Sequence, residues 1–156
     1  MTSQSRARRK HLVTRDTILS ETRRSGLASQ FRNELFKTAR ARSTLTYGYL
    51  MRRFSLSRGR AITGLLSDID RTENESGSPG FAALVVRKDT GYPGGGFFCD
   101  QNLPIRLLRP PERCTDPRLT PEEKAYVRAK RRVIWEYYSK SGIDWTTTSA
   151  RILLRF

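Results

Sequence analysis

The stretch TYGYLMRRFSLSRGRAITGLLSDID, from Thr46 to Asp70, admits few folds. Leu50 and Phe54 lie four residues apart, the spacing of one helical face, and Thr46 stands where an N-cap belongs. Ser55 and Leu56 break that pattern for a short turn. Ser57 is the expected N-cap of a second helix running to about Glu75, with Ile62, Leu65, Leu66 and Ile69 as its apolar stripe. Two helices joined by so short a turn must cross one another, which is the helix-turn-helix arrangement. On a wheel centred on Ile62, Leu65, Leu66 and Ile69 fall within about 60° of the centre. Ser57, Arg60, Gly64, Ser67 and Arg71 fall on the far side, Thr63 at the border, and Arg58 nearer the buried flank. The outward face is therefore built of small residues with an arginine at its start. Such a face lets a helix approach a groove closely.

The flanking sequence predicts an α+β domain. A short helix over TRDTILSETRRSG is expected to close at Gly26, and a second over ASQFRNELFKTARAR carries Phe31, Leu35 and Ala39 at four-residue spacing. FAALVVRK is a compact apolar run and reads as a strand. DTGYPGGG is a turn-rich tip and GFFCD a returning strand, together a β-hairpin that would form the wing of a winged helix. Residues 15–99 thus read as one winged-helix domain and 1–14 as a disordered basic arm. Residues 100–119 read as a proline-rich linker, 120–140 as a long C-terminal helix and 141–156 as a tail. That helix has Thr120 as N-cap, Pro121 at its first position and two glutamates in its first turn. Tyr126, Ala129, Val133 and Tyr137 are its expected apolar stripe, flanked by Lys130 and Ile134, with Trp135 and Tyr138 off it.

Charge narrows the partner. The chain of 156 residues carries 30 Lys and Arg against 15 Asp and Glu, a net charge of +15. Twenty-four of the cations are arginine, whose planar fork suits phosphates and base edges. Residues 1–60 hold 15 cations against 3 acids, and residues 61–156 hold 15 against 12. A polyanion is the indicated partner, bound mainly by the first 60 residues, and nucleic acid is the commonest polyanion.

Catalysis finds little support. There is no Ser/His/Asp set, and no carboxylate pair is framed by apolar residues. Two cysteines, Cys99 and Cys114, and one histidine, His11, cannot complete a four-ligand zinc site, so neither metal nor cofactor is expected. The triple glycine at 94–96 lacks the Gly-Lys-Ser/Thr that follows in a phosphate loop. MTSQSRARRKHLV has charge but no apolar signal segment, and no run approaches the roughly 18 apolar residues of a membrane span. The expectation is an intracellular, cytoplasmic protein with free thiols, nucleoid-associated if it binds DNA.

LTYGYLMRRFSLSRGRAITGLL resembles the winged-helix segment of the O6-alkylguanine alkyltransferases and alkyltransferase-like proteins. Thr46, Tyr47, Gly48 and Leu50 match the first part of that pattern, and Arg60, Ala61 and Ile62 the second. The resemblance covers about 50 residues of this chain. It implies that Arg60 helps extrude a base and that Tyr47 contacts the backbone beside it. The family's reactive Pro-Cys-His-Arg motif is missing from the region after the second helix, so alkyl transfer is not expected.

Duplex DNA binding is the preferred reading, as a regulator or accessory factor. Ser57, Arg58, Arg60 and Thr63 would read the groove. Tyr47, Arg52, Arg53, Arg87 and Lys88 would hold phosphates, with charge added by the arm at 6–10. Tyr92 either reaches the partner or packs its own turn. The run RAKRR at 128–132 is either a solvated face or an extension of the phosphate footprint. The alternatives are an RNA-binding ribonucleoprotein subunit, or a protein–protein adaptor of a phage, mobile-element or defence complex. The C-terminal helix could offer a surface for a protein partner.

Overall fold

The computed structural model describes residues 15–56, 59–99 and 103–140. The basic arm at 1–14, the tail at 141–156 and the cap expected at Ser57 lie outside the described residues. Four helices dominate: α1 (Arg15–Arg40), α2 (Tyr47–Arg53), α3 (Gly59–Glu75) and α4 (Pro121–Lys140). Two short strands, β1 (Leu45–Thr46) and β2 (Val85–Val86), pair in parallel, Leu45 opposite Val85 and Thr46 opposite Val86. Single 3-10 turns at Ala82–Leu84, Gly95–Cys99, Ile105–Leu107 and Pro111–Arg113 fill the connection to α4. The fold is mixed and mostly helical, α+β in its coarse class.

Each helix has a local reason to begin or end where it does. Thr46 caps α2, its hydroxyl accepting from the Tyr49 amide at 3.1 Å. Thr120 and Glu123 form a reciprocal capping box on α4. The Glu123 amide donates to the Thr120 hydroxyl at 3.1 Å, and the Thr120 amide donates to the Glu123 carboxylate at 2.9 Å. Three helix ends close through a left-handed residue: Arg42 after α1, Ser55 after α2 and Gly77 after α3. In each, the next amide reaches back five residues, Ser43 to Thr38, Leu56 to Met51 and Ser78 to Glu73. This pattern satisfies orphan carbonyls and turns the chain sharply.

The main core joins all four helices. Phe31, Leu35 and Ala39 of α1 meet Leu50 and Phe54 of α2, Ile62, Leu66 and Ile69 of α3, the Phe81–Val85 segment, and Ile134 and Tyr138 of α4. Phe81 stacks on Tyr138 with ring centres 4.7 Å apart, and Phe36 meets Tyr138 edge-on at 5.6 Å. Tyr138 lies with its hydroxyl 3.0 Å from Glu73 and 2.9 Å from the Pro79 carbonyl, and Arg32 pairs with the same glutamate. Burial pushes the Tyr138 phenol far above the usual phenol range, so it stays protonated.

A second, smaller core holds Phe98, Leu107 and Val127. Arg109, 5% exposed, organises it. Its guanidinium grips Glu123 with Nε at 2.8 Å and Nη2 at 2.7 Å. It also donates to the carbonyls of Arg113 (3.2 Å), Asp116 (2.7 Å) and Arg118 (2.6 Å) and lies over the Phe98 ring at 5.3 Å. All five guanidinium N–H groups thus have acceptors, the condition under which a charge can be buried. Residues 103–119, expected to be a linker, are in this way packed onto the start of α4.

Several expectations need correction. Helix α1 runs through Gly26 without a break. A glycine in an exposed helix interior costs only about 1 kcal/mol, and the helix formers on both sides outweigh it. The hairpin expected over FAALVVRK and GFFCD does not form: β2 pairs with β1, and Gly95–Cys99 is a 3-10 turn. A Cβ at Gly95 would press into the Cys114 carbonyl at 2.7 Å and the Arg109 guanidinium at 2.8 Å, so this segment is set by its fit against the Arg109 loop. The free thiols are also corrected, because Cys99 and Cys114 are joined in a disulfide with Cα atoms 5.9 Å apart. The apolar stripe of α4 is rotated from the expected one. Glu123, Val127, Ile134 and Tyr138 are buried, while Val133 and Tyr137 are exposed. Two charged residues, Glu123 and half-buried Arg131, occupy the inward face, and a reading that sends every charge outward misplaces it.

Two predictions follow from the second core. Hydrogen bonds from Arg109 hold the Glu123 carboxyl below its ordinary value of 4.5; burial opposes this and the Thr120 amide adds to it. The folded state therefore favours the carboxylate, and below pH 4.5 the unfolded chain binds more protons there. This stabilisation is complete above that value and is lost as pH falls through the lower folded one. The melting temperature of the wild type should drop on acidification through this window, and Glu123→Gln should have a lower melting temperature and a flatter pH dependence. Separately, the Cys99→Ser/Cys114→Ser double variant should lose about 3 kcal/mol by the loop-entropy model. Urea unfolding of both proteins, with and without dithiothreitol, checks this: the reductant should affect the wild type alone.

Candidate nucleic-acid interface

Tyr47 sits at the junction of β1 and α2. The Thr46 cap fixes the helix start, and the parallel β1–β2 pairing brings the segment after β2 alongside. The Tyr47 phenol is therefore half-buried against the 87–97 loop. Burial raises its ionisation, while a hydrogen bond with the Gly94 backbone and the charge of Arg87 oppose the rise.

A cleft of about 530 Å³ opens between Tyr47, Thr63 of α3 and loop residues Lys88, Gly94 and Phe97. It continues into a larger trough of about 950 Å³ that shares Tyr47, Thr63, Gly96 and Phe97 with it. The trough is lined by Ser67 and Arg71 of α3 and by Tyr126 and Lys130 of α4. Asp70 shapes its floor by accepting the Phe81 amide at 2.6 Å and the Ala82 amide at 3.1 Å. Gly80 is required there, since a Cβ would run into the Asp70 carboxylate.

The wheel reading of α3 agrees with the observed burial. Ile62, Leu66 and Ile69 are buried, and Thr63, Gly64, Ser67 and Arg71 are exposed. Thr63 lines the cleft. Arg60 lies in the first turn of α3, three residues before Thr63. Ser57 and Arg58 lie outside the described residues. Arg52 and Arg53 occupy the last turn of α2 and are exposed, with the Arg53 guanidinium 5.5 Å from the Phe54 ring centre.

The loop candidates divide. Arg87 forks around Asp89, with Nε–Oδ1 at 3.0 Å and Nη2–Oδ2 at 2.6 Å. The pairing holds the Asp89 carboxyl below its usual range. Lys88 is exposed and has no carboxylate partner among the described residues. Tyr92 packs its own turn. Arg131 lies 5.3 Å and Lys124 5.7 Å from its ring centre, and Arg128 donates to its hydroxyl at 3.0 Å.

Sequence reasoning missed the part played by α4. Arg131 donates from Nε to the Ala83 carbonyl at 2.9 Å and from Nη2 to the Gly91 carbonyl at 2.7 Å. One guanidinium thus ties both ends of the loop that carries Arg87 and Lys88. The signal was the RAKRR run itself, whose fourth residue shares a helix face with Ile134 and Tyr138. Among the described residues no His, Cys, Asp or Glu cluster could hold a metal ion, and no helix is long and apolar enough to cross a membrane.

Arg131→Ala removes two charge-assisted hydrogen bonds worth about 1.5–3 kcal/mol each. The amides of Arg87 and Gly91, which close the loop on Tyr92 and Arg87 at 2.9 Å, should then exchange with solvent about tenfold faster or more. Hydrogen-exchange mass spectrometry reads this directly, and amides in α3 serve as the unaffected reference. Comparison with protein-family models, with curated proteins and with solved structures gives no match to this chain.

Proposed function

We propose that this chain is a duplex-DNA-binding protein that uses α2 and α3 as a helix-turn-helix, with α3 as the recognition helix. The observation that carries the reading is one juxtaposition. The small outward face of α3, through Thr63, borders a cleft that also bears Tyr47 and the exposed Lys88. Small residues permit close approach to a groove, and cations beside them meet the phosphates that flank it. The net charge of +15 supplies the sequence-independent attraction. In this reading the 87–99 segment stands where a hairpin wing was expected, and it presents Lys88 from a loop rather than a strand.

The resemblance to the alkyltransferase-like proteins extends the proposal. Arg60 at the start of α3 would displace a base and Tyr47 would contact the adjacent backbone. The cleft of about 530 Å³ has room for the displaced base. The proposal is binding without group transfer. Cys99, which lines the trough, is held in the disulfide with Cys114 and offers no thiolate.

A duplex carrying 2-aminopurine tests both parts in one titration. Anisotropy reports affinity, and a rise in 2-aminopurine emission reports an unstacked base. Arg60→Ala should weaken binding by about 1–3 kcal/mol, roughly ten- to hundredfold, and abolish the emission rise. An Arg60→Ala protein as tight as the wild type would remove α3 from the recognition role. Displacement by structured RNA at lower concentration than by duplex of equal length would replace the DNA reading with the RNA-binding one.

A further inference from the structure

The charge distribution of the sequence points to the first 60 residues, yet the trough has a wall that comes from α4. Tyr126, Lys130 and Ile134 follow one another at four-residue spacing, and all three line it. Thr63, Ser67 and Arg71 of α3 line the same trough, together with the acidic Asp70, which is held by the Phe81 and Ala82 amides, and Glu75. The four cations of the 128–132 run have different surroundings. Arg128 is bonded to Tyr92, and Arg131 to the Ala83 and Gly91 carbonyls. Arg132 is exposed and does not line the trough. Lys130 is exposed, lines the trough and has no carboxylate partner among the described residues. Lys88 stands in the same condition on the 87–97 loop, lining the adjoining cleft with Tyr47 and Thr63.

We propose that α4 is a wall of the nucleic-acid interface, and that Lys130, which lines the trough, binds a backbone phosphate there, as Lys88 does in the adjoining cleft. A polyanion strand spanning the cleft and the trough meets the Lys88 ammonium in the one and the Lys130 ammonium in the other, with Thr63 of α3 lining both. Lysine suits this task, because its compact charge on a flexible stem needs no fixed fork geometry to meet a phosphate. Arg71, which lines the same trough, is bridged to Asp68 at 3.0 Å, which leaves Lys130 as the less encumbered cation there. The inference rests on the DNA-binding reading and adds a contact from outside the helix-turn-helix.

The test uses the full chain and a plain DNA duplex, with affinity measured over a series of salt concentrations. Each phosphate contact contributes about 0.9 to the slope of log K against log salt concentration. Lys130→Gln should make the slope shallower by about that amount and weaken binding several-fold at low salt. Lys130→Arg should restore both. Lys140→Gln, an equal charge change ten residues further along α4, should keep the wild-type slope. Melting temperatures should match across the set, since these side chains are exposed. A Lys130→Gln slope equal to that of a binding wild type overturns the α4 contact and leaves the α3 reading standing. Equal losses in Lys130→Gln and Lys140→Gln also overturn it, because they report diffuse charge. A wild type without duplex affinity removes both proposals together.

Discussion

The buried pair of Arg109 and Glu123 is the interaction on which the rest of the structure most depends. A guanidinium placed among Phe98, the Glu123 carboxylate and three backbone carbonyls is tolerable only because every N–H finds an oxygen. Glu123 is held from two directions, by the guanidinium and by the Thr120 amide. The start of α4, the course of residues 109–118 and the seat of Gly95 are therefore fixed by one charge and its acceptors. The orientation of Phe98 follows, and with it the placement of neighbouring Phe97 at the cleft. Breaking such a pair from one side leaves an uncompensated charge, which costs about 3–5 kcal/mol.

The same economy recurs elsewhere in a chain that is 37% hydrophobic. Glu73 ties α3 to Arg32 of α1 and to Tyr138 of α4. Asp70 caps the turn that begins at Phe81. The acidic side chains with the deepest positions hold the fold together from within. Many cations remain at the surface, and that surplus is the charge a partner would meet. A strongly basic surface and an acid-pinned interior are two results of one allocation.

Much of the helical framework was legible in the sequence. The α2 cap, the α3 stripe and the boundaries of α4 depend on residues within one or two turns, where periodicity and capping rules act. What escaped depended on residues distant in sequence. β2 pairs with a strand 40 residues earlier, so local pattern supplied the wrong neighbour. Glu123 and Arg131 face inward because distant carbonyls and a distant guanidinium receive them, and no helical wheel contains those partners. Tyr47 and Thr63, singled out from the α2–α3 pattern, line the same cleft. Lys130 was visible only as part of a charged run, because its distinction from Arg128 and Arg131 lies in what those two touch.

The smallest element of the fold has the widest reach. The pairing of Leu45–Thr46 with Val85–Val86 closes a loop that contains the whole of α2 and α3. The α2–α3 pair is thus an insertion between two strands of one sheet, framed by α1 before it and by the α4-braced segment after it. It is not a detachable module. A fragment ending after α3 would lack β2, the Phe81 stack and the amides that Asp70 receives. β1 leads directly into α2 and β2 leads directly out to the 87–97 loop, so one two-residue pairing joins the start of both.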